Sequence, residues 1–431
     1  MRSFILGCLG VALTVAPASA QVADSSDVRF DTTVGSCLTL SAVMELARKT
    51  DPSVIVSRAR ELEADADIIE ARSLWRPRVD TILRTGTGST SVVNSGVSNS
   101  AGLRASQRLF DFGDAKYARQ AARADFAAST ADTRTAQINA ARLAGLAVLN
   151  MREAEAQIAV TSERRAYFAR QLDAVDAVLE LGGATRTERA SVALQLADAD
   201  RFALELNFQK QEARAQVESF TEAVAPVCRT AGPVNLVGAT AGFATADDAV
   251  RAAFANNPNL DAQTQRADAL SARRERERRA RLPVVDLVAT GTYSSLNRFD
   301  DFRFRERVGI DITIPLYSGN LLGARRQRAS ARENVARGQI LDIQRQLRTD
   351  VSIIWERLQS LRGQIRLRKD VREQARLQFE AAQIEQNAGT RTLRDLVEVR
   401  LEFEAAALAV VSAEFEMKRQ SLQLSALLGT P

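Results

Sequence analysis

Arg307-Val308-Gly309-Ile310-Asp311-Ile312-Thr313-Ile314 decides the fold. Val308, Ile310, Ile312 and Ile314 are all β-branched and fall on one side of a two-residue period, while Arg307, Gly309, Asp311 and Thr313 fall on the other. A helix would scatter these residues round its axis, so the run reads as a strand with one apolar and one polar face. Upstream, past a polar loop from Asn297 to Phe304, Val285, Leu287, Ala289, Gly291 and Tyr293 alternate with Asp286, Val288, Thr290 and Thr292. Together they predict a β-hairpin over residues 283–315. A weaker hairpin is predicted over 77–109, with Val79, Thr81, Leu83 and Thr85 opposite Asp80, Ile82, Arg84 and Gly86. The polar loop Gly86 to Asn99 follows, and then Ala101, Leu103 and Ala105 opposite Gly102, Arg104 and Ser106.

The two hairpins belong to two copies of one plan. Asp51-Pro52 answers Asn257-Pro258, and Trp75-Arg76-Pro77 answers Arg281-Leu282-Pro283. Leu109-Phe110-Asp111-Phe112-Gly113 answers Leu316-Tyr317-Ser318-Gly319, and Gly183-Ala184-Thr185-Arg186-Thr187 answers Gly389-Thr390-Arg391-Thr392. The nearly constant offset is too long for a solenoid repeat and marks a duplicated half. Around the hairpins the pattern is helical: one helix from Leu40 to Trp75, a long one from Gly113 to about Leu181, and a return from Thr187 to Phe220. In the second half the same elements run over Thr245 to Leu282, Leu321 to Asn387 and Leu393 to Leu428. At about 1.5 Å per residue the long helices span on the order of 100 Å. The predicted units are a first repeat over 40–225 with its helical turn near 182–187, a linker over 226–244, and a second repeat over 245–431 with its turn near 387–392.

Compartment follows from the first residues. Met1-Arg2, the apolar run Phe4 to Val15 and Ala18-Ser19-Ala20 form a charged n-region, an h-region and a small-x-small cleavage site, so 1–20 reads as a signal peptide and 21–39 as an N-terminal periplasmic segment. Ile5-Leu6-Gly7-Cys8 resembles a lipobox, but cleavage there leaves almost no h-region. Removal of Cys8 leaves Cys37 and Cys228 in an oxidising compartment. With no histidine in the chain, two thiols cannot complete a zinc shell, and the pair is expected as a disulfide.

Outside the signal no apolar run approaches the ~20 residues of a membrane-spanning helix. Two-faced strands in an exported chain point instead to an outer-membrane β-barrel, its apolar face (Ile312) toward lipid and its polar face (Thr313) toward a lumen. Four strands cannot close a barrel, and an open edge in lipid strands backbone groups at several kcal/mol each, so subunits must share one. Two protomers give eight strands and a filled interior, whereas three give twelve and room for a lumen, which the polar inward faces favour.

These words together resemble the TolC-type outer-membrane efflux and secretion factors: Asn257-Pro258, Leu282-Pro283, Leu109 to Gly113, Leu316 to Gly319, and Gly389-Thr390-Arg391-Thr392 followed by Asp395-Leu396. The resemblance covers essentially the whole mature chain. It implies an internally duplicated membrane α+β fold, a homotrimer with a shared antiparallel barrel in outer-membrane lipid, and a long α-helical coiled-coil tunnel across the periplasm. It also implies a periplasmic adaptor (membrane fusion protein) and an inner-membrane ABC or proton-driven transporter as partners, and no cofactor. The tunnel's far end is expected to be constricted by Arg391, Asp395 and Glu398, with Glu188 as the acidic partner of the arginine and Arg186 and Arg189 competing for it. The turns Gly182-Gly183 and Gly389 to Thr392 would dock the adaptor. The Leu109 to Gly113 wording and the absence of a convincing lipobox favour type I protein secretion, with a multidrug or small-molecule efflux pump as the alternative and a periplasmic coiled-coil scaffold as a remote one.

Other readings fall away. Asp111-Phe112-Gly113 spells a kinase magnesium motif without any of its companions. The run Ala272 to Arg281 interleaves glutamates with arginines in an exported chain, which suits a solvated helix face rather than nucleic acid. Without histidine and without a cleft motif, an envelope hydrolase has no nucleophile–base pair, so no enzyme is expected.

Overall fold

The computed structural model describes residues 37–89, 95–221, 227–228, 243–296 and 303–430. The expected signal peptide over 1–20, most of the expected N-terminal segment and linker, and the tips of both hairpin loops lie outside them. The order is α1 (Leu40–Thr50), α2 (Pro52–Ser73), β1 (Arg78–Ser89), β2 (Ser95–Phe110), α3 (Asp114–Glu180) and α4 (Arg186–Thr221). It then repeats as α5 (Ala246–Asn256), α6 (Pro258–Arg279), β3 (Val284–Leu296), β4 (Arg303–Thr313), α7 (Leu321–Asn387) and α8 (Leu393–Leu427). Corresponding helices match in length: α1 and α5 have 11 residues, α2 and α6 have 22, and α3 and α7 have 67.

Where the sequence pattern suggests one helix before each hairpin, the structure has two. Pro52 and Pro258 lack the N–H that would continue the ladder, and each sits at the first position of a new helix, where that donor is not needed. Asp51 then accepts from the Ser53 N–H at 2.8 Å, and Asn257 accepts from the Leu260 N–H at 3.1 Å while its amide donates to the Leu427 carbonyl at 3.0 Å. The strands also run further into the polar loop than composition suggests, with register pairs from Gly86↔Ser98 to Ser89↔Ser95. Backbone pairing there needs no apolar side chain.

The strands form one antiparallel sheet in the order β1-β2-β3-β4. β1 and β4 are its open edges. The core is distributed along the helices. Where α1 crosses α3, Val43, Met44 and Ala47 pack on Ala140, Ala144, Ala147 and Val148; where α5 crosses α7, Ala249, Val250 and Ala253 pack on Leu347, Val351, Ile354 and Trp355. The α3 and α7 positions correspond one to one at the repeat offset, with small residues in the first crossing and large ones in the second. Gly145 explains itself here, because a Cβ on it would stand 2.8 Å from Leu422 Cδ2 and 3.3 Å from Met44 Sδ. Gly145→Val should therefore lower stability by about 1–3 kcal/mol through overpacking, read as a shift in the denaturant midpoint. An unchanged midpoint would mean the crossing is loose.

Cys37 and Cys228 form a disulfide. Beside it Leu38 and Val227 make an isolated parallel bridge, and the Cys228 N–H donates to the Leu38 carbonyl at 2.8 Å.

Candidate functional site

The sheet separates two environments by register. Val79, Ala105, Ala289 and Val308 lie side by side across all four strands, as do Leu83, Ala101, Tyr293 and Phe304. Val308, Ile310, Ile312 and Leu83 are mostly exposed, so none of the described residues packs over this apolar face. Tyr293 and Phe304 pack with ring centroids 4.8 Å apart toward the loops, and Phe110 and Phe112 pack edge to face at 4.5 Å toward the helices. Phe304 also lies against Gly291, covering backbone that lacks a side chain. From Val285 to Tyr293 the apolar run measures about 27 Å along the strand, close to the ~25 Å apolar band of outer-membrane barrels. No described helix is long and apolar enough to cross a membrane. The opposite face carries Asp80, Arg104, Thr290 and Arg307 in one row and Ile82, Gly102, Thr292 and Arg305 in the next.

The passage from β2 into α3 is built by Asp111. Phe112 and Gly113 take left-handed backbone, with φ of 53° and 97°. Buried Asp111 accepts from the Gly113 N–H at 3.0 Å and the Ala115 N–H at 2.8 Å, so its carboxylate satisfies the helix's first donors. Arg279 of α6 donates to the Phe112 carbonyl and the Tyr117 hydroxyl, both at 3.1 Å. In the second repeat Gly319 and Asn320 repeat the left-handed pair, but Leu316 and Tyr317 are 92% and 91% exposed. No element among the described residues covers them.

At the other end the two helical turns lie together, with Ala184 and Leu393 joining one apolar cluster with Phe168, Val192, Phe379 and Leu396. Gly182 and Gly389 have φ of 77° and 76°, the left-handed cap that lets the chain reverse. The Gly183 N–H reaches the Val178 carbonyl at 2.9 Å, and the Thr390 N–H reaches Glu385 O at 3.0 Å. Thr185 and Glu188 form a reciprocal cap on α4: Glu188 Oε2 accepts from the Thr185 N–H at 2.7 Å, and Thr185 Oγ1 accepts from the Glu188 N–H at 3.1 Å. The Thr185 backbone and hydroxyl bonds hold the Glu188 carboxyl below its usual range. That contribution is present above the ordinary carboxylate pKa and is lost as pH falls through the lowered folded value. Thr392 and Asp395 occupy the same positions in the second repeat, with Thr392 Oγ1 accepting from the Asp395 N–H at 3.2 Å.

Arg391 pairs with Glu385 at 3.0 Å, across its own turn. Within the described protomer it is not paired with Glu188. Arg189 pairs with Asp176 at 2.5 Å and so does not compete for Glu188, and Glu398 is exposed. Sequence reasoning missed Glu385, six residues before Arg391, because its proximity arises only from the reversal at Gly389. Above the turns Arg400 sits about 5 Å from the ring centroids of Tyr167, Phe379 and Phe403. Arg164 links Asp198 at 3.0 Å with Glu404 at 3.3 Å. Burial pushes the Glu404 carboxyl up, against the pull of Arg164 and Arg400. No cluster of metal-ligating side chains occurs among the described residues.

This arrangement of an exposed apolar sheet, paired 67-residue helices and two adjoining glycine turns has close structural counterparts. The fold matches the CmeC outer membrane channel of Campylobacter jejuni with a TM-score of 0.76 at 14% identity, covering 90% of this chain and 85% of that one. It matches the outer membrane protein VceC of Vibrio cholerae with a TM-score of 0.76 at 18% identity, covering 91% and 96%. In sequence it is 22% identical over 384 residues to the outer membrane efflux protein BepC of Brucella suis biovar 1, covering 88% of this chain and 82% of that protein. Residues 43–221 and 249–430, one segment from each repeat, match the outer membrane efflux protein family. The chain therefore belongs to that family and is an outer-membrane efflux component, its sheet placed in the outer membrane and its helices extending into the periplasm.

Proposed function

We propose that three copies of this chain share a twelve-stranded barrel and a continuous helical tunnel, and that the assembly is the export conduit of a tripartite system with a periplasmic adaptor and an inner-membrane transporter. The observation that carries the reading is the sheet itself, which has an apolar face and two unpaired edges, β1 and β4. Neither is tolerable in lipid unless other copies close it. Three copies rather than two suit the inward arginines, which an eight-stranded interior filled with side chains could not hydrate.

The repeat supplies the junction. Inside one protomer α6 offers Arg273 and Arg276 to Asp125 and Asp114 of α3. The equivalent of Arg273 is Asp67 on α2, and the equivalent of Asp125 is Arg332 on α7. The signs are exchanged, and neither residue is ion-paired within the described protomer. Asp67 of one copy facing Arg332 of the next would reproduce the internal contact between protomers and favour head-to-tail closure. The uncovered Leu316 and Tyr317 would be enclosed at the same junction. Transferring the β2–β3 register to β4 and the neighbour's β1 sets Ile312 beside Leu83.

Arg391, Glu385, Asp395, Glu398 and Glu188 are proposed to line or hold the periplasmic constriction, and the turns from Gly182 to Gly183 and from Gly389 to Thr392 to receive the adaptor. Small-molecule efflux is the cargo class we favour. Type I protein secretion rests on the absence of a convincing lipobox and on the Leu109 to Gly113 wording, in which Asp111 serves as a helix cap whatever the cargo. Oxidation of an Ile312→Cys/Leu83→Cys variant should give a cross-linked ladder that ends at trimer, and Arg391→Ser should raise single-channel conductance in planar bilayers. A ladder that stops at dimer, or no cross-link in a membrane fraction, would overturn the shared barrel; unchanged conductance would place the constriction elsewhere.

A further inference from the structure

The inward face of the sheet holds a cluster that a mere water-filled lumen does not require. Arg104 on β2, Thr290 on β3 and Arg307 on β4 share one register row; Gly102, Thr292 and Arg305 share the next. Thr290 is thus flanked by Arg104 and Arg307 from its two neighbouring strands, and Thr292 by Arg305 on one side and Gly102 on the other, at strand spacings of about 4.8 Å. Thr292 Oγ1 leans over Gly102, 2.9 Å from where a Cβ would stand, so the absence of a side chain there leaves the hydroxyl room and opens the floor of the patch. Arg307 makes only a long 3.6 Å contact with Asp311, and Arg104 and Arg305 are exposed and not ion-paired with any described residue. The row of Arg305 contains no carboxylate, and that of Arg104 contains one, Asp80 on β1, which makes no ion pair with any described residue.

We propose that this patch is an anion-binding station inside the barrel, repeated in each copy, which takes phosphate, carboxylate or sulfonate groups of cargo on their way out. Planar guanidinium groups hold such oxyanions through paired, charge-assisted hydrogen bonds, and the threonine hydroxyls donate to the remaining oxygen. Rings of arginine in a narrow lumen also favour anions over cations in transit. The proposal rests on the conduit reading, and the experiment separates the two.

Purified full-length assembly is studied in planar bilayers, with tripolyphosphate added to each side in turn. Tripolyphosphate should block the current, and Arg104→Ser/Arg305→Ser should raise the blocking concentration by at least about tenfold and shift the reversal potential toward cation selectivity. Arg104→Lys/Arg305→Lys, which keeps the charge, should retain most of the block. Absence of block in the wild type, or equal block in the serine variant, would overturn the station while the open current still upheld the conduit. Absence of any channel would sink the conduit reading itself.

Discussion

Val308→Arg should abolish assembly in the outer membrane, whereas Val288→Arg should leave it intact. The two residues lie at mid-length on neighbouring strands and in adjacent register rows, but on opposite faces: Val308 is outward beside Ala289, and Val288 is inward beside Gly309. An arginine on the lipid face near the bilayer midplane costs about 2–4 kcal/mol, falling to about 0–1 near the interfaces. Three copies would place that charge in one barrel three times, while the same side chain at 288 reaches lumen water. Depth also orders the series. Ile312 is outward as its alternation implies, yet it lies near the helical end of β4, so Ile312→Arg should be much milder than Val308→Arg, and Thr313→Arg should be silent. The measurement is the fraction of each variant recovered as heat-modifiable oligomer in outer membranes. Equal losses for Val308→Arg and Val288→Arg would mean that the face assignment is wrong.

That contrast shows what the sequence made legible. The two faces could be read from alternation alone, because Val308, Ile310 and Ile312 leave no other period, and the duplication could be read from its proline and glycine words. Depth could not, since it depends on where strands end, and β1 and β2 continue through a stretch whose Gly and Ser content looks like loop. The pairing of β2 with β3 joins residues of different repeats, so the row that brings Arg104 to Thr290 and Arg307 exists only once the sheet is formed. The breaks at Pro52 and Pro258 were visible as residues but hidden by an apolar period that runs across them. At the tip, glycine reversal was readable from Gly182 and Gly389. The partner of Arg391 was not, because helical spacing places Glu385 on a different turn and only the αL cap folds it back.

Removing the disulfide should cost the protomer more than any other substitution considered for it. Cys37 and Cys228 enclose a chain segment with a sequence separation of 191, and in the chain-entropy account closing so long a loop stabilises by up to about 5 kcal/mol, with 2–4 kcal/mol more typical of measured bridges. The native side of the equilibrium is well prepared. Leu38 and Val227 already pair next to the bond, the Cys228 N–H is already satisfied by the Leu38 carbonyl, and Leu38 is buried against the crossing of α1 and α3. The bond thus fastens the segment ahead of the first repeat to the stretch that follows α4. Cys37→Ser/Cys228→Ser should lower the denaturant midpoint of the protein and expose the α1 region to protease. Reductant should produce the same shift in the wild type and none in the double variant, which separates the bond from the packing of the two side chains. If thiol labelling of the denatured, unreduced mature protein found two free cysteines, or if reductant left the wild-type midpoint unchanged, the tie would contribute nothing and the Leu38–Val227 pairing alone would have to hold the segment in place.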